Sequence, residues 1–158
     1  IDRYYKIECI RIVQSSRRIE VWYLVRRKAW YDHSNYQRHE NWPVKIIPVV
    51  TVREKDGLAM SSRNRRLNAE QRNSAKEIYR ILQQWASTSF TRHTDVSFAK
   101  KAIIDSINPV DFLTVEYLEF CCEKTLTPID HFEHPGPIRV FTAVMCGKVR
   151  LIDNLPLF

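Results

Sequence analysis

The hydrophobic period changes once along this chain, at Asn108-Pro109, and that change most constrains its fold. Upstream, apolar residues recur at helical spacing. In "LNAEQRNSAKEIYRILQQWAS", Ala75, Ile78, Ile81, Leu82 and Trp85 share one face. Asn68 suits the N-cap, and Gln71 three residues on completes a capping box. A second helix starts near Asp95, buries Val96, Ala99, Ile103 and Ile107, and stops before Asn108-Pro109. Downstream the period is two. "FLTVEYLEF" puts Leu118 and Phe120 on one side of a strand and Tyr117 and Glu119 on the other. "IRVFTAVMC" and "KVRLID" flank Gly147 and read as a hairpin. Two helices followed by a small, mostly antiparallel three-stranded sheet make an α+β unit.

Ahead of that unit the texture changes at Pro43. "PVKIIPVVTV" is β-branched and bounded by prolines, which predicts a short strand from Val44 to Ile47. Residues 1–42 have no Gly, Pro or Phe but eight Tyr or Trp, and show no sustained period. They carry nine basic and five acidic side chains, supplying +4 of the net charge of +7. The basic excess that suggests an anionic partner thus lies mainly in the least typical segment. Their Tyr/Trp and Arg mixture imitates a nucleic-acid surface without any RNA-binding motif, and we expect no nucleic-acid partner. The first residue is Ile, which predicts that the chain was cut from something longer.

Between the predicted strand and the first helix lies "TVREKDGLAMSSRNRRL", which holds one of only three glycines in the chain. Asp56-Gly57 signals a turn, and Gly57 permits φ > 0. Ser61 and Ser62 offer hydroxyl donors, and Arg63 a planar fork suited to phosphate oxygens. This is not a Walker loop, because Gly-Lys-Ser/Thr is absent. Two readings stand: an anion cradle, and a solvated arginine-rich helix start in which Glu54 and Asp56 pair locally. The chemistry alone favours the second.

Three other candidates carry less. His131-x-x-His134 precedes Pro135-Gly136-Pro137, so it reads as a loop rather than a metal site. Cys121-Cys122 reads as ordinary thiols at a strand end. The four cysteines have no paired zinc spacing and read as reduced cytoplasmic thiols. No apolar run reaches the ~18 residues of a membrane helix.

"VREKDGLAMSSRN" resembles the ATP-binding motif of the pantoate–β-alanine ligase family. The likeness continues through "RLNAEQRNSAKEIYRIL" and closes with "GKVRLIDN", covering Pro43 to Leu155. The resemblance implies a small C-terminal lid domain (residues 68–158), preceded by the last strand and ATP phosphate loop (43–67) and a remnant of a Rossmann-like α/β domain. It implies a cytoplasmic, adenylate-forming ligase of pantothenate biosynthesis. ATP, with Mg²⁺, activates pantoate to pantoyl adenylate, and β-alanine then expels AMP. Carried onto this chain, Val52 holds the adenine edge through its backbone. Met60, Ser61, Ser62 and Arg63 form the loop on the ATP phosphates, and Asp56 and Gly57 shape that loop. The resemblance implies a family that is usually homodimeric through its N-terminal domain, which leaves the oligomeric state of this chain open.

The chain departs from the family where that domain should be. No His-x-Gly-His motif occurs. The pantoate-binding glutamines and the Phe-Gly-Glu-Lys-Asp stretch are also missing. No catalytic residue is assigned, and the chain alone is expected to lack useful turnover. Residues 1–42 read either as a genuine segment or as a frame-shifted remnant of the Rossmann-like domain. In the second case Val25 to Lys28 and Ser34 to His39 encode family sequence in the +1 frame. Against the ligase stand two alternatives: a non-catalytic anion- or nucleic-acid-binding module, and another nucleotidyl-transferring enzyme with the same phosphate loop.

Overall fold

A computed structural model describes residues 13–15, 18–20, 50–88, 93–123 and 127–157. The chain divides into two compact units, Ile1–Val50 and Thr51–Phe158. In the first, β1 (Val13–Ser15) pairs antiparallel with β2 (Arg18–Glu20), Val13 opposite Glu20 and Ser15 opposite Arg18. The strand expected from Val44 to Ile47 lies outside the described residues.

The second unit follows the order read from the period change. After the 51–61 loop come a short 3-10 helix (Ser62–Arg66), α1 (Ala69–Thr88) and α2 (Val96–Ile107). Then come β3 (Leu113–Cys122), β4 (Ile138–Cys146) and β5 (Val149–Pro156). The sheet order is β3-β4-β5, and both pairings are antiparallel.

The capping box on α1 is formed in both directions. Gln71 N donates to Asn68 Oδ1 at 2.8 Å, and Asn68 N donates to Gln71 Oε1 at 3.2 Å. Two of the donors that a helix start leaves unpaired are satisfied in this way. On α2 the Asp95 carboxylate accepts from Phe98 N at 2.7 Å. The expected faces are the buried ones: Ala75, Ile78, Ile81 and Leu82 on α1, and Val96, Ala99, Ile103 and Ile107 on α2. Trp85 is half-buried at the edge of this core, and its Nε1–H donates to Ser106 Oγ of α2.

Both helices pack on one face of the sheet, against Leu118, Phe120 and Cys122 of β3, Val140 and Val144 of β4, and Leu151 of β5. Phe132, from the loop between β3 and β4, meets Phe120 edge to face with ring centroids 4.9 Å apart. Such a pair adds about 1 kcal/mol beyond its burial.

The sheet departs from the simple alternation of its sequence in two places. A register shift between Val115 and Tyr117 bulges β3 at Glu116. Just before β3, Phe112 takes φ 67°, an outlier for a bulky side chain, and its carbonyl accepts from Gly147 N at 2.9 Å. β5 runs to Pro156, past the Asp153 at which its sequence alternation breaks off.

Candidate functional site

The Thr51–Leu67 segment leaves the unit's edge as a narrow two-sided ladder. Arg53 and Ala59 form an antiparallel bridge. Glu54 N donates to Leu58 O at 2.8 Å and Met60 N to Val52 O at 2.9 Å. Between these rungs the chain reverses at Gly57, with φ 92°. A Cβ at Gly57 would lie 2.5 Å from Tyr79 Cδ1, so backbone conformation and space both require glycine.

Three sets of contacts hold the base of this ladder. The first is Arg53. Its guanidinium makes a bidentate pair with Asp153 of β5, at 2.8 and 2.9 Å. It also donates to the carbonyls of Gly57 (3.1 Å) and Asn154 (3.0 Å), and it lies 3.8 Å above the Tyr79 ring. Burial pushes the Asp153 carboxyl up from its ordinary range; Arg53 and the Asn154 N–H pull against that shift.

The second is Arg72, on the first turns of α1. It reaches back to Glu54 at 2.7 Å and to Asp56 at 2.6 Å. The third is Asn64, whose Nδ2 donates to Glu54 Oε1 at 2.6 Å and to Ala59 O at 3.0 Å. The Asn64 bond, followed by the Arg72 bond, holds the Glu54 carboxyl below its ordinary range. Arg72 does the same for Asp56, aided by the Leu58 N–H. Both carboxylates are therefore engaged as anions at neutral pH.

The residues singled out in the sequence fall into two groups. Asp56 and Gly57 sit in the turn, within this bonded base. Val52, Met60, Ser61, Ser62 and Arg63 lie at the open end of the ladder and on the start of the 3-10 helix. Val52, Met60 and Ser62 are exposed, and Ser61 and Arg63 half-buried. Ser61 Oγ accepts from Arg63 N at 3.2 Å and so caps the 3-10 helix. Val52 uses its carbonyl in the rung to Met60.

Local pairing of Glu54 and Asp56 was legible, but both carboxylates use an arginine of the following helix. Arg53, Asn64 and Asp153 were not singled out by sequence reasoning. The signal was slight: an Arg ahead of the turn, and an Asp that breaks the apolar alternation of the final strand, "VRLIDNLP". Of the other candidates, His134 Nδ1 accepts from Gly136 N at 3.1 Å and thus serves its own loop. Cys121 and Cys122 are buried at the end of β3. Among the described residues no three or more His, Cys, Asp or Glu side chains group as metal ligands, and no helix is long and apolar enough to cross a membrane.

The geometry defines a class: an α+β unit that carries a Ser/Arg loop, rigid at its base and open at its tip. Comparison with known proteins makes the class specific. The family model described as pantoate-beta-alanine ligase matches residues 34–156. The chain is 40% identical over 115 residues to a pantothenate synthetase of Caldicellulosiruptor saccharolyticus, covering 73% of this chain and 40% of that protein. A pantothenate synthetase of Bacteroides fragilis is 38% identical over 118 residues, covering 75% and 41%. The crystal structure of pantothenate synthetase from Thermus thermophilus superposes with a TM-score of 0.68 at 32% identity, covering 79% of this chain and 44% of that one. The ligase from Francisella tularensis, solved with beta-gamma ATP and beta-alanine, gives a TM-score of 0.54 at 26% identity, covering 78% and 38%.

The chain belongs to the pantoate–β-alanine ligase family. It spans about 40% of the length of the curated relatives it matches.

Proposed function

We propose that this chain carries the ATP phosphate loop and lid of a pantothenate-forming ligase. In the whole enzyme, a pantoate carboxylate oxygen attacks the α-phosphorus of ATP. The Pα–O bond to the β-phosphate breaks, and pyrophosphate leaves. The amine of β-alanine then attacks the acyl carbon of pantoyl adenylate. The acyl C–O bond to AMP breaks, AMP departs, and the nitrogen loses a proton.

The role of this chain lies in the first step, where negative charge builds on the leaving pyrophosphate. Donors already in place stabilise that charge without reorganising. Ser61 and Ser62 supply hydroxyls and Arg63 a guanidinium, with Met60 beside them; the Val52 backbone lies at the adenine edge. The observation that carries this reading is the contrast within one loop: its base is held by Arg53, Arg72 and Asn64, while Met60 and Ser62 face solvent. The Francisella tularensis relative, with its nucleotide and β-alanine, supports the choice of anion.

Among the described residues no three or more His, Cys, Asp or Glu side chains group as metal ligands. Mg²⁺ fits this reading as a companion of the nucleotide phosphates, its usual mode of binding.

We further propose that the chain alone does not turn over. Holding the two reactants together supplies much of the rate of such a reaction, and the pantoate-binding glutamines and His-x-Gly-His motif are absent here. AMP release with ATP, pantoate and β-alanine tests this: the isolated chain should give none above background. AMP formation that requires both pantoate and β-alanine would contradict it. A frame-shifted origin for part of residues 1–42 is a companion proposal. Against it, the family match takes in Ser34 to His39 in the frame as given, one of the two stretches that proposal assigns to a shifted frame. The coding DNA upstream of Pro43 decides it.

A further inference from the structure

Asp153 and Ser61 are far apart in sequence, yet one bonded path joins them. Asp153 holds both terminal nitrogens of Arg53, with side-chain exposures of 4% and 15% for the pair. The same guanidinium holds the Gly57 carbonyl across the turn and the Asn154 carbonyl on β5. Arg53 is itself a rung of the ladder, opposite Ala59. The next rung, Met60 N to Val52 O, ends one residue before Ser61. A second tie runs alongside: Asn154 Nδ2 donates to Thr51 Oγ1 at 3.2 Å, and Asn154 Oδ1 accepts from Arg139 at 2.7 Å. Arg139 is paired in turn with Glu123. The last strand of the chain thus grips the strand-like start of the loop at residues 51 and 53.

We infer that Asp153 is a positioning residue for the ATP loop, acting through Arg53 to fix where Met60 to Arg63 present their donors. The inference rests on the reading of that loop as the phosphate site. A buried ion pair is weak grounds for stability in itself, because desolvation consumes much of its attraction. Here its geometry does something an apolar pair could not. A planar fork satisfies one carboxylate and two carbonyls from separate segments at once, and its face rests on Tyr79. The arrangement therefore selects one placement of the loop against β5 and α1.

Amide hydrogen exchange on the whole chain separates positioning from bulk support. In Asp153→Asn, the amides of Glu54, Gly57 and Met60 should exchange about ten-fold faster or more, while those of Phe120 and Ile103 keep their protection. The double variant Arg53→Met/Asp153→Leu removes the buried charges together. It should regain melting temperature relative to Asp153→Asn, yet leave the loop amides fast. Its folding does not depend on an orphaned charge, so it stands if the single variant fails to fold. ATP affinity, measured in parallel by calorimetry, should fall about ten-fold in both variants. A Phe132→Leu control, which loosens the core away from the loop, should keep wild-type affinity within about two-fold. Loop amides that stay protected in Asp153→Asn, or that recover in the double variant along with stability, would overturn the inference. If wild type itself fails to bind ATP, the phosphate-site reading fails instead, and the exchange comparison still decides whether Asp153 positions the loop.

Discussion

The Asp56 carboxylate lies 2.6 Å from the guanidinium of Arg72, which also holds Glu54 at 2.7 Å. One side chain of α1 thereby closes both sides of the turn that leads into the Ser/Arg loop. Arg72→Ala should cost about 1 kcal/mol, since these groups remain a quarter to a third exposed and water screens them. Urea unfolding at neutral pH measures it; an unchanged midpoint would mean that the clamp is not formed in solution.

The same clamp gives stability a pH dependence of known sign. The folded chain holds Glu54 and Asp56 below their ordinary range, so they stabilise fully at neutral pH. That contribution is lost as pH falls through and below about 4. Asp153, pushed up by burial, works in the opposite direction, so the informative quantity is a difference. Arg72→Ala should lose less stability than wild type between pH 7 and pH 3. Parallel curves would contradict the assignment.

Gly57→Ala combines a Cβ 2.5 Å from Tyr79 Cδ1 with φ 92°. It should destabilise by about 2 kcal/mol or more. In Gly57→Ala/Tyr79→Ala the collision is gone and only the backbone strain remains, so the double variant should lose less than the sum of the singles. Additive losses would mean that the ring does not pack on Gly57.

Asn68→Ala removes one half of the α1 capping box and should cost about 1 kcal/mol. Arg66→Ala, on the exposed 3-10 helix two residues away, should stay within about 0.5 kcal/mol of wild type. Thermal melts of the two variants side by side check both values.

What was legible in the sequence was what is local. The Asn68 and Gln71 pair, the start of the second helix near Asp95 and both helical faces depend on spacings of three and four residues, and they are formed as read, with Trp85 at the half-buried edge. The alternation in β3 and the Gly147 hairpin are equally local. The bulge at Glu116 and the positive φ at Phe112 are not. They follow from how β3 meets β4 and Gly147, and nothing in "FLTVEYLEF" signals them.

The site divides in the same way. Ser61, Ser62 and Arg63 stand out by composition, and the turn at Gly57 by its glycine. The Arg53–Asp153 pair spans 100 residues of sequence. Each partner looks ordinary in its own segment, and only the packing of β5 beside the loop gives the pair meaning. The 3-10 helix is hidden as well, because its cap is a serine that stands out for its hydroxyl rather than for its place in the backbone.

Under the proposed function, the Met60–Arg63 end of this loop takes the phosphates of ATP. Isothermal titration of the chain with ATP, with Arg63→Ala as the comparison, tests it most directly. Binding to wild type should be weak but saturable, and at least about ten-fold weaker in Arg63→Ala, with melting temperatures unchanged. Equal affinity in the two proteins, or no binding to wild type, would contradict it.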